Sequence, residues 1–473
     1  MANSSVSEQT YLFPGPSFHI DLAALDARHP VHYSRRLLIF RCPSPTLRDA
    51  QLAALKTGLQ ALVERCPILG GTIVSPPPGD PSHGLGDWRT IVCGPGLELV
   101  MRDLSSKIPS FERLEADDFQ PHNFPCDLLI PVPEDIDNDI PFAACKMQYS
   151  AIEGGTILTW AMSHSVADGS GNNELIGVLA EETRLAEELS SKNLPSASSK
   201  AGLTTYLGEN RSVMRNMKSD VEFKIEDHPG FRWPTPSPSG VPVPLHPFEA
   251  TAPEIPVLLR ISPAGLAQLK IDATIAGSPP ISTHDALSAL IWRTALLIRS
   301  IRSASAQEVP LSTNTSIFMP SDGRRHLSLP STYIGNAVYQ LTANLDLGTL
   351  LSPTGLGYAA SAVRSAIKAV TPALVSSYVA KTNEVWVDWQ FMNGTASTTG
   401  VAMGTDWTSG VLYGQDWGKD FGPLIRYRYP GEAFNCIYPK LPDGTAEVMM
   451  GVLPGEGNLL KSEHGFGKYI DTQ

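Results

Sequence analysis

Residues 156–169 read Thr-Ile-Leu-Thr-Trp-Ala-Met-Ser-His-Ser-Val-Ala-Asp-Gly, and this stretch carries the strongest structural signal in the chain. Its first six residues are mostly apolar, β-branched or aromatic, which is typical of a strand inside a sheet. His164 and Asp168 follow four residues apart, and Gly169 allows a tight turn after them. From residue 172 onward apolar residues recur at helical spacing. The stretch predicts a buried strand, a histidine at its carboxyl end and a long helix.

The spacing of the histidine and the aspartate is not informative by itself. His83 and Asp87 are spaced in the same way, but they follow residues 76–81, which are Pro-Pro-Pro-Gly-Asp-Pro. Such a segment predicts a turn-rich loop in which nothing buries or orients the imidazole. His83 is therefore predicted to be a solvated loop histidine, and His164 is the candidate general base.

Length and composition favour large buried cores. The chain has 473 residues, of which 42% are hydrophobic and 18% are charged, so two domains of the α/β (α+β) class are expected. Residues 227–256 contain nine prolines, which leave little room for a helix or a central strand. We therefore expect an N-terminal domain over residues 1–226, a proline-rich crossover linker over 227–256 and a C-terminal domain over 257–473.

Charge and cysteine content narrow the class of partner. A net charge of −12 disfavours nucleic acid or an anionic membrane as the main partner. Six scattered cysteines without Cys-x-x-Cys spacing indicate neither a zinc site nor a disulfide framework, and no metal is expected. Neither a secretory signal nor an apolar run of about 20 residues is visible. These features predict a cytoplasmic protein without a membrane segment.

Further elements follow from periodicity and turn chemistry. We expect a helix that starts at Thr46 with Asp49 as its cap partner, and a second helix capped by Ser282 or Thr283. The remaining predictions are strands over residues 32–40, 257–261, 314–320, 384–390 and 411–413, a helix over 359–369 and a hairpin around Gly444.

Several catalytic motifs do not occur in the sequence. There is no Gly-x-Ser-x-Gly elbow, no phosphate-binding Gly-x-x-x-x-Gly-Lys loop and no convincing Gly-x-Gly-x-x-Gly. His164 is therefore the outstanding candidate for chemistry.

A second motif near the other end of the chain, residues 413–418 (Tyr-Gly-Gln-Asp-Trp-Gly), completes a family pattern. Together with residues 164–169, the chain resembles the BAHD-type acyl-CoA-dependent acyltransferases, in particular their fungal trichothecene 3-O-acetyltransferase branch. Other segments that resemble the family are residues 67–71 (Pro-Ile-Leu-Gly-Gly), 282–293, 322–325 (Asp-Gly-Arg-Arg) and 333–336 (Tyr-Ile-Gly-Asn).

One departure concerns the late motif. The plant form is Asp-Phe-Gly-Trp-Gly, whereas this chain has Asp416-Trp417-Gly418, followed by Asp420-Phe421-Gly422. Either aspartate is a candidate counterpart. Asp416 is preferred because residues 412–413 and 422–423 fit the surrounding family pattern.

The resemblance implies two similar chloramphenicol-acetyltransferase-like domains with a solvent channel at their interface. His164 would lie midway along this channel, reached by acyl-CoA from one face and by a small-molecule alcohol from the other. No cofactor would be bound permanently, because acyl-CoA, most simply acetyl-CoA, is a co-substrate. A monomer is expected.

The resemblance also implies roles for individual residues. His164, Asp168 and Asp416 form the candidate catalytic set, in which Asp168 pairs with an arginine to hold the loop and Asp416 pairs with Arg324. Structural support is expected from Gly169, Arg324, Trp417 and Gly418, and either Trp417 or a nearby backbone N–H is a candidate oxyanion donor. Candidate contacts for the CoA phosphates are Arg325, Lys419 and Arg426, with Arg324 and Arg428 as further cations.

The residue chemistry agrees with O-acyl transfer. An alcohol is a poor nucleophile at neutral pH, so a positioned base must take its proton, and a histidine suits that task. Thiolate is a good leaving group, so no covalent acyl-enzyme is required. The alternatives are a cofactor-free cyclase, isomerase or hydrolase that uses the same base, and a non-catalytic binding protein of the same fold.

Overall fold

A computed structural model describes residues 8–27, 32–76, 89–133, 136, 140–192, 211–233, 254–303, 309–330, 332–385, 387–389, 399–406, 411–431 and 433–470. His83 and Asp87 lie outside these residues, as does most of the proline-rich crossover predicted over residues 227–256.

The elements of the first half alternate between short strands and a few long helices. In chain order they are β1 (Glu8–Phe13), β2 (His19–Asp21), α1 (Ala24–Ala27), β3 (Tyr33–Arg41), α2 (Pro45–Arg65), β4 (Thr72–Val74), β5 (Thr90–Val92), β6 (Leu97–Asp103), α3 (Phe111–Ala116), α4 (Cys126–Leu129), β7 (Phe142–Ala143), β8 (Cys145–Ile152), β9 (Gly155–Ser163), α5 (Gly169–Ser191) and α6 (Arg211–Arg215).

The second half is built in a similar way. Its elements are β10 (Phe231–Arg232), β11 (Ile255–Ile261), α7 (Pro263–Asp272), α8 (Thr283–Ser303), β12 (Asn314–Asp322), β13 (Val338–Asp346), α9 (Leu347–Leu351), α10 (Gly355–Ala369), α11 (Pro372–Glu384), β14 (Asp388–Trp389), β15 (Gly400–Asp406), β16 (Arg426–Arg428), β17 (Asn435–Ile437), β18 (Ala446–Val452) and α12 (Gly457–Leu460).

Two six-stranded mixed sheets form the framework. The first has the order β1-β6-β8-β9-β3-β16, and the second has the order β11-β18-β17-β15-β12-β13. Smaller sheets of four strands (β2-β5-β4-β7) and two strands (β10-β14) accompany them. The two-domain mixed α/β architecture expected from the sequence is confirmed.

The strand–loop–helix unit predicted from residues 156–189 is confirmed. β9 is buried along its whole length and pairs antiparallel with both β3 and β8. α5 packs with α2 over one face of this sheet through apolar residues that include Leu175, Ile176 and Leu179. His164 therefore begins the connection from a central strand to a core helix.

The two halves share structure across the predicted domain boundary. β16, from the C-terminal half, pairs with β3 in the register Arg426↔Ile39 and completes the first sheet. The core beneath this sheet also takes Trp417 and Met449 from the C-terminal half. The first sheet therefore contains a strand from beyond residue 256, and the boundary between the two sheets does not coincide with the linker predicted from the sequence.

Three local predictions were wrong. Residues 411–413 are not a strand, because Gly414 N bonds locally to Val411 O at 2.9 Å and Leu412–Gly414 forms a 3₁₀ turn. Among the described residues within 384–390, only the two residues of β14 form a strand, since α11 continues to Glu384. The cap of α2 is Ser44, whose hydroxyl accepts from Leu47 N at 3.2 Å.

The other predicted elements have the expected type. Ser282 caps α8 by accepting a bond from Asp285 N, and the hairpin near Gly444 is formed by β17 and β18. Within the described part of the chain, none of the helices combines the length and apolarity needed to cross a membrane.

Candidate active site

His164 lies immediately beyond the end of β9. Its backbone N–H donates to His32 O at 2.9 Å, which extends the β3–β9 ladder by one residue. The imidazole rings of His32 and His164 are neighbours, with centroids 5.0 Å apart and planes tilted by 38°. The strand pairing thus fixes the backbone position of the candidate base.

Asp168 holds the far end of the same loop. One carboxylate oxygen accepts from Gly171 N at 3.0 Å, which caps α5, and the other accepts from Ala337 N at 3.0 Å. The guanidinium of Arg324 donates to both oxygens, at 2.8 and 2.9 Å. The predicted pairing of Asp168 with an arginine is therefore present, and the arginine is Arg324, in the turn after β12.

The first turn of α5 must come close to another backbone segment. A side chain at Gly171 would meet Ile334 O at 2.1 Å, so only glycine fits there. Gly169 is the first residue of α5, directly after the Asp168 cap. The small residues at this point let the helix contact the segment that leads to Asn336.

Burial shapes the titration of both groups. Burial lowers the pKa of His164, Arg36 lowers it further, and the nearby Asp168 and Asn336 partly oppose this shift. Burial alone would raise the pKa of Asp168, but the charge and hydrogen bonds of Arg324 hold it below its ordinary value. At neutral pH the pair is a neutral imidazole beside an ionised, fully bonded carboxylate.

Sequence reasoning did not assign a role at this loop to three residues, two that contact it and one that holds those two. Asn336 Nδ2 donates to His164 O at 2.7 Å, and the Arg211 guanidinium donates to Val166 O. Asp26 accepts from Asn336 N at 2.7 Å and pairs with Arg211 at 2.5 Å. A lone carboxylate within the apolar run of residues 22–27 was the available signal, because a buried charge needs a partner.

A fourth missed residue is Arg36 on β3, a buried cation near the imidazole. Its side chain is 1% exposed and donates to Asn173 Oδ1 on α5 at 2.7 Å. Arg36 lies on the strand next to β9. Its distance from His164, and hence its effect on the His164 pKa, is set by the register of β3 with β9, which the sequence does not show.

The late motif lies far from His164. Trp417 is 1% exposed and packs against Phe40, with ring centroids 5.1 Å apart. Phe40 pairs with Thr156, eight residues before His164, so Phe40 and the Trp417 ring beside it lie roughly 26 Å along the strand from His164 at 3.3 Å per residue. The suggestion that Trp417 is an oxyanion donor was wrong, because this distance excludes contact with the reacting group.

The expected pairing of Asp416 with Arg324 was also wrong. The Asp416 side chain is 76% exposed, and its nearest cation is Arg184 on α5 at 3.7 Å. Arg184 is 15 residues into α5, roughly 22 Å along the helix from the His164 end. Asp416 accepts from Gly418 N at 3.0 Å, so it stabilises a local turn. Membership of the catalytic set is not supported for Asp416.

Gly418 has a positional requirement of its own. Its φ of +84° lies in the left-handed region, and a side chain there would meet Glu187 of α5. Asp420 N also donates to Glu187 at 3.0 Å. The structural-support role expected for Trp417 and Gly418 agrees with the packing of Gly418 against the distal half of α5 and of Trp417 against Phe40.

The cations suggested for the CoA phosphates are dispersed. Arg428 is buried and pairs with Glu447 at 2.7 Å, so it was wrongly included. Lys419 lies 3.5 Å from Glu187 in the distant late motif, and Arg426 lies 4.0 Å from Glu447. Arg325 is exposed and follows Arg324 directly, which makes it the candidate of this group next to the His164 loop.

This arrangement suits one chemical task. A neutral imidazole, fixed through its backbone at a strand end and flanked by a fully bonded carboxylate, can accept a proton without first losing one. The transferase family model matches residues 13–452. The chain belongs to this family, the BAHD transferases.

Individual BAHD transferases and related proteins resemble the chain over most of its length. It is 28% identical to an enoyl-CoA isomerase/hydratase of Penicillium crustosum over 94% of this chain, but it spans only 50% of that protein. It is 25% identical to an eremophilane O-acetyltransferase of Penicillium rubens, covering 95% of this chain and 98% of the relative.

A solved BAHD structure supports the fold. Fusarium sporotrichioides TRI101, in a crystal structure with coenzyme A and T-2, matches with a TM-score of 0.75 and 21% identity, covering 96% of this chain and 99% of that chain. The family and fold expected from the two motifs are thereby confirmed.

Proposed function

We propose that this protein is an acyl-CoA-dependent O-acyltransferase that transfers an acyl group, most simply acetyl, to a hydroxyl of a fungal-type specialised metabolite. The observation that carries the proposal is the buried imidazole of His164 directly after β9, whose pKa is lowered by burial, in a chain matched by the transferase family model. O-Acetyltransferases of eremophilane and trichothecene metabolism among its relatives support the substrate class.

His164 acts as a general base in direct transfer. Its imidazole takes the hydroxyl proton while the acceptor oxygen attacks the thioester carbonyl carbon, giving a tetrahedral intermediate. When this intermediate collapses, the C–S bond breaks and the departing thiolate takes the proton from the imidazolium. Such a base contributes about 10²–10⁴-fold to the rate.

The loop residues have supporting roles. Asp168 and Arg324 hold the loop rather than relay a proton, since both carboxylate oxygens are already occupied by Arg324 and backbone N–H groups. Arg325 is the proposed contact for a CoA phosphate because it is exposed beside this loop. We assign Asp416 only to the late-motif turn.

We further propose that the enzyme works in the cytoplasm as a monomer with residues 1–226 and 257–473 as its two domains. Cys66 and Cys145 are buried free thiols, which supports a reducing compartment. Size-exclusion chromatography with light scattering tests the oligomeric state, and a dimer mass would overturn it.

Calorimetric titration of CoA and acetyl-CoA, with thiol release followed in the same samples, tests the function. Acceptors would be eremophilane and trichothecene alcohols, and the variants are His164→Ala and His122→Ala, whose histidine is 72% exposed. We expect saturable thioester binding and transfer that only His164→Ala removes. Absence of binding to any thioester, with conversion of a metabolite, would instead indicate a cofactor-free enzyme.

A further inference from the structure

The backbone of the catalytic loop is held by groups from three other segments. His164 N donates to His32 O at 2.9 Å, and His164 O accepts from Asn336 Nδ2 at 2.7 Å. Val166 O accepts from the guanidinium of Arg211. The carbonyls on both sides of Ser165 are therefore bonded to side chains that come from elsewhere in the chain.

Asp26 on α1 contacts both donors, Asn336 and Arg211. Its Oδ1 accepts from the backbone N and from Nδ2 of Asn336, at 2.7 and 2.9 Å. Its Oδ2 lies 2.5 Å from Nη1 of Arg211. One amide hydrogen of Asn336 is thus directed to Asp26 and the other to His164. A single carboxylate orients the donors to both loop carbonyls.

This ion pair is completely removed from solvent. The side chains of Arg211 and Asp26 are 1% and 0% exposed. Taking two charges out of water is expensive, and replacing a buried pair by apolar residues is often neutral or stabilising. Fold stability alone is therefore a weak reason for its presence, whereas buried polar and ionic groups specify a single conformation in some proteins.

The pair is also close to the second support of the loop. Tyr333 is 1% exposed, and Arg324, the partner of Asp168, lies over its ring at 5.6 Å from the centroid. A side chain at Gly335 would meet both the Tyr333 hydroxyl and Arg211 Nη1 at 2.6 Å. The two ion pairs thus flank one tyrosine, and each holds a different part of residues 164–168.

We infer that Asp26, Arg211 and Asn336 are positioning residues for acyl transfer, which hold the His164 imidazole in its reactive orientation through the loop carbonyls. The inference rests on the proposed function, since His164 is taken as the base. Displacement of a reacting group by about 1 Å can cost up to about 10²-fold in rate, so loss of either donor should lower turnover.

A second buried pair provides a matched control. Arg428 and Glu447 are 1% and 0% exposed, and Arg428 also donates to the backbone carbonyls of Asp118 and Phe119, at 2.8 and 2.7 Å. Arg211 and Arg428 thus have the same burial, the same kind of partner and the same kind of backbone acceptor. Only Arg211 reaches the His164 loop.

The experiment compares Arg211→Lys with Arg428→Lys, and adds Asn336→Ala. Lysine keeps each ion pair but cannot also serve the backbone carbonyls with a planar fork. Both lysine variants should unfold at lower denaturant concentration than the wild type. Turnover per folded molecule should fall between about 10-fold and 10²-fold for Arg211→Lys and Asn336→Ala, with little change in KM. Arg428→Lys should keep wild-type turnover.

A titration separates positioning from general destabilisation. The Asn336 side chain opposes the burial-induced lowering of the His164 pKa, so Asn336→Ala should lower that pKa further. In the pH dependence of turnover, the acid limb should therefore move to lower pH, and the maximum turnover should fall. The charged and titratable groups that face His164 in the variants, namely Asp168, Arg36 and His32, are unchanged. Arg428→Lys should leave the limb in place.

The failure of this inference is distinguishable from failure of the proposed function. NMR titration of His164, assigned with His164→Ala, requires no turnover. If the wild type does not transfer an acyl group but Asn336→Ala shifts the His164 titration, the function is wrong and the positioning role stands. If Asn336→Ala changes neither the titration nor the turnover, or if Arg428→Lys lowers turnover equally, the inference is overturned. Should Arg211→Lys not fold, Asn336→Ala decides, because it leaves the Asp26–Arg211 pair in place.

Discussion

The two motifs that identify the family lie in opposite environments. In the first, the Asp168 side chain is 3% exposed and its oxygens receive two backbone N–H groups and a guanidinium. In the second, Asp416 is 76% exposed and is 3.7 Å from its nearest cation. A motif aspartate can therefore support a catalytic loop or merely end a surface turn. The deciding factor is which elements cover the residue, and motif spacing does not reveal it.

The largest contrast should come from Asp168→Ala. This change leaves Arg324 buried without its main carboxylate, so unfolding free energy should fall by about 3–5 kcal/mol and acyl transfer should be lost with the loop geometry. Denaturant unfolding and transfer assays measure both effects. The control is Asp322→Ala, because Asp322 also meets Arg324 at 3.1 Å but is 43% exposed. Equal losses in both variants would contradict the special role of Asp168.

The substitution with the largest expected effect in the late motif is Trp417→Ala, and it should change stability but not turnover. Trp417→Ala opens a cavity beside Phe40 and Phe421 and should cost about 3–5 kcal/mol. Turnover per folded molecule should stay at the wild-type value, because Trp417 is remote from His164. A large fall in turnover of the folded fraction would show that the two motifs are coupled.

The pH dependence provides a finer comparison. His164 works as a base only when it is deprotonated, and burial lowers its pKa, so activity should persist below the ordinary histidine value of about 6.5. Arg36 lowers this pKa further, so Arg36→Gln should move the acid limb to higher pH. Arg184→Gln, which removes the cation beside Asp416, should not move it. Rate profiles between pH 5 and pH 8 measure the shift.

The smallest effect is expected from Asp416→Asn. The amide oxygen can still accept from Gly418 N, and an exposed ion pair at 3.7 Å contributes little. Unfolding free energy should change by no more than about 0.5 kcal/mol and transfer should be unchanged. A loss of activity would place Asp416 back in the catalytic machinery.

Much of the site was predictable because its signals are local. The β9–α5 unit follows from a continuous apolar run and then a helical spacing of apolar residues, all within about 35 residues. Arg324 was identified from a resemblance rather than from a contact, and its pairing was assigned to the wrong aspartate. Both Asp168 and Asp416 were expected to pair with an arginine, and the sequence does not show which of the two is buried.

The unpredicted part depends on contacts between distant segments. Asp26, Arg211 and Asn336 come from α1, α6 and the segment before β13, and no periodic pattern links them. The false strand at residues 411–413 had suitable residue types, but local turn bonds are formed there instead of a ladder. Spatial proximity at such separations is set by the fold, not by local propensity.

The pairing of β16 with β3 has a consequence for biogenesis. During synthesis, the outer edge of β3 at Ile39 stays unpaired until Arg426 has been made, because β16 covers that edge. At ordinary translation speeds of about 5–20 residues per second, that wait is roughly 20–80 s. During this time a nascent chain presents an open, apolar strand edge, which is a template for association with other chains. Protection of that edge by a chaperone, or faster synthesis of residues 40–426, should therefore raise the yield of correctly folded enzyme.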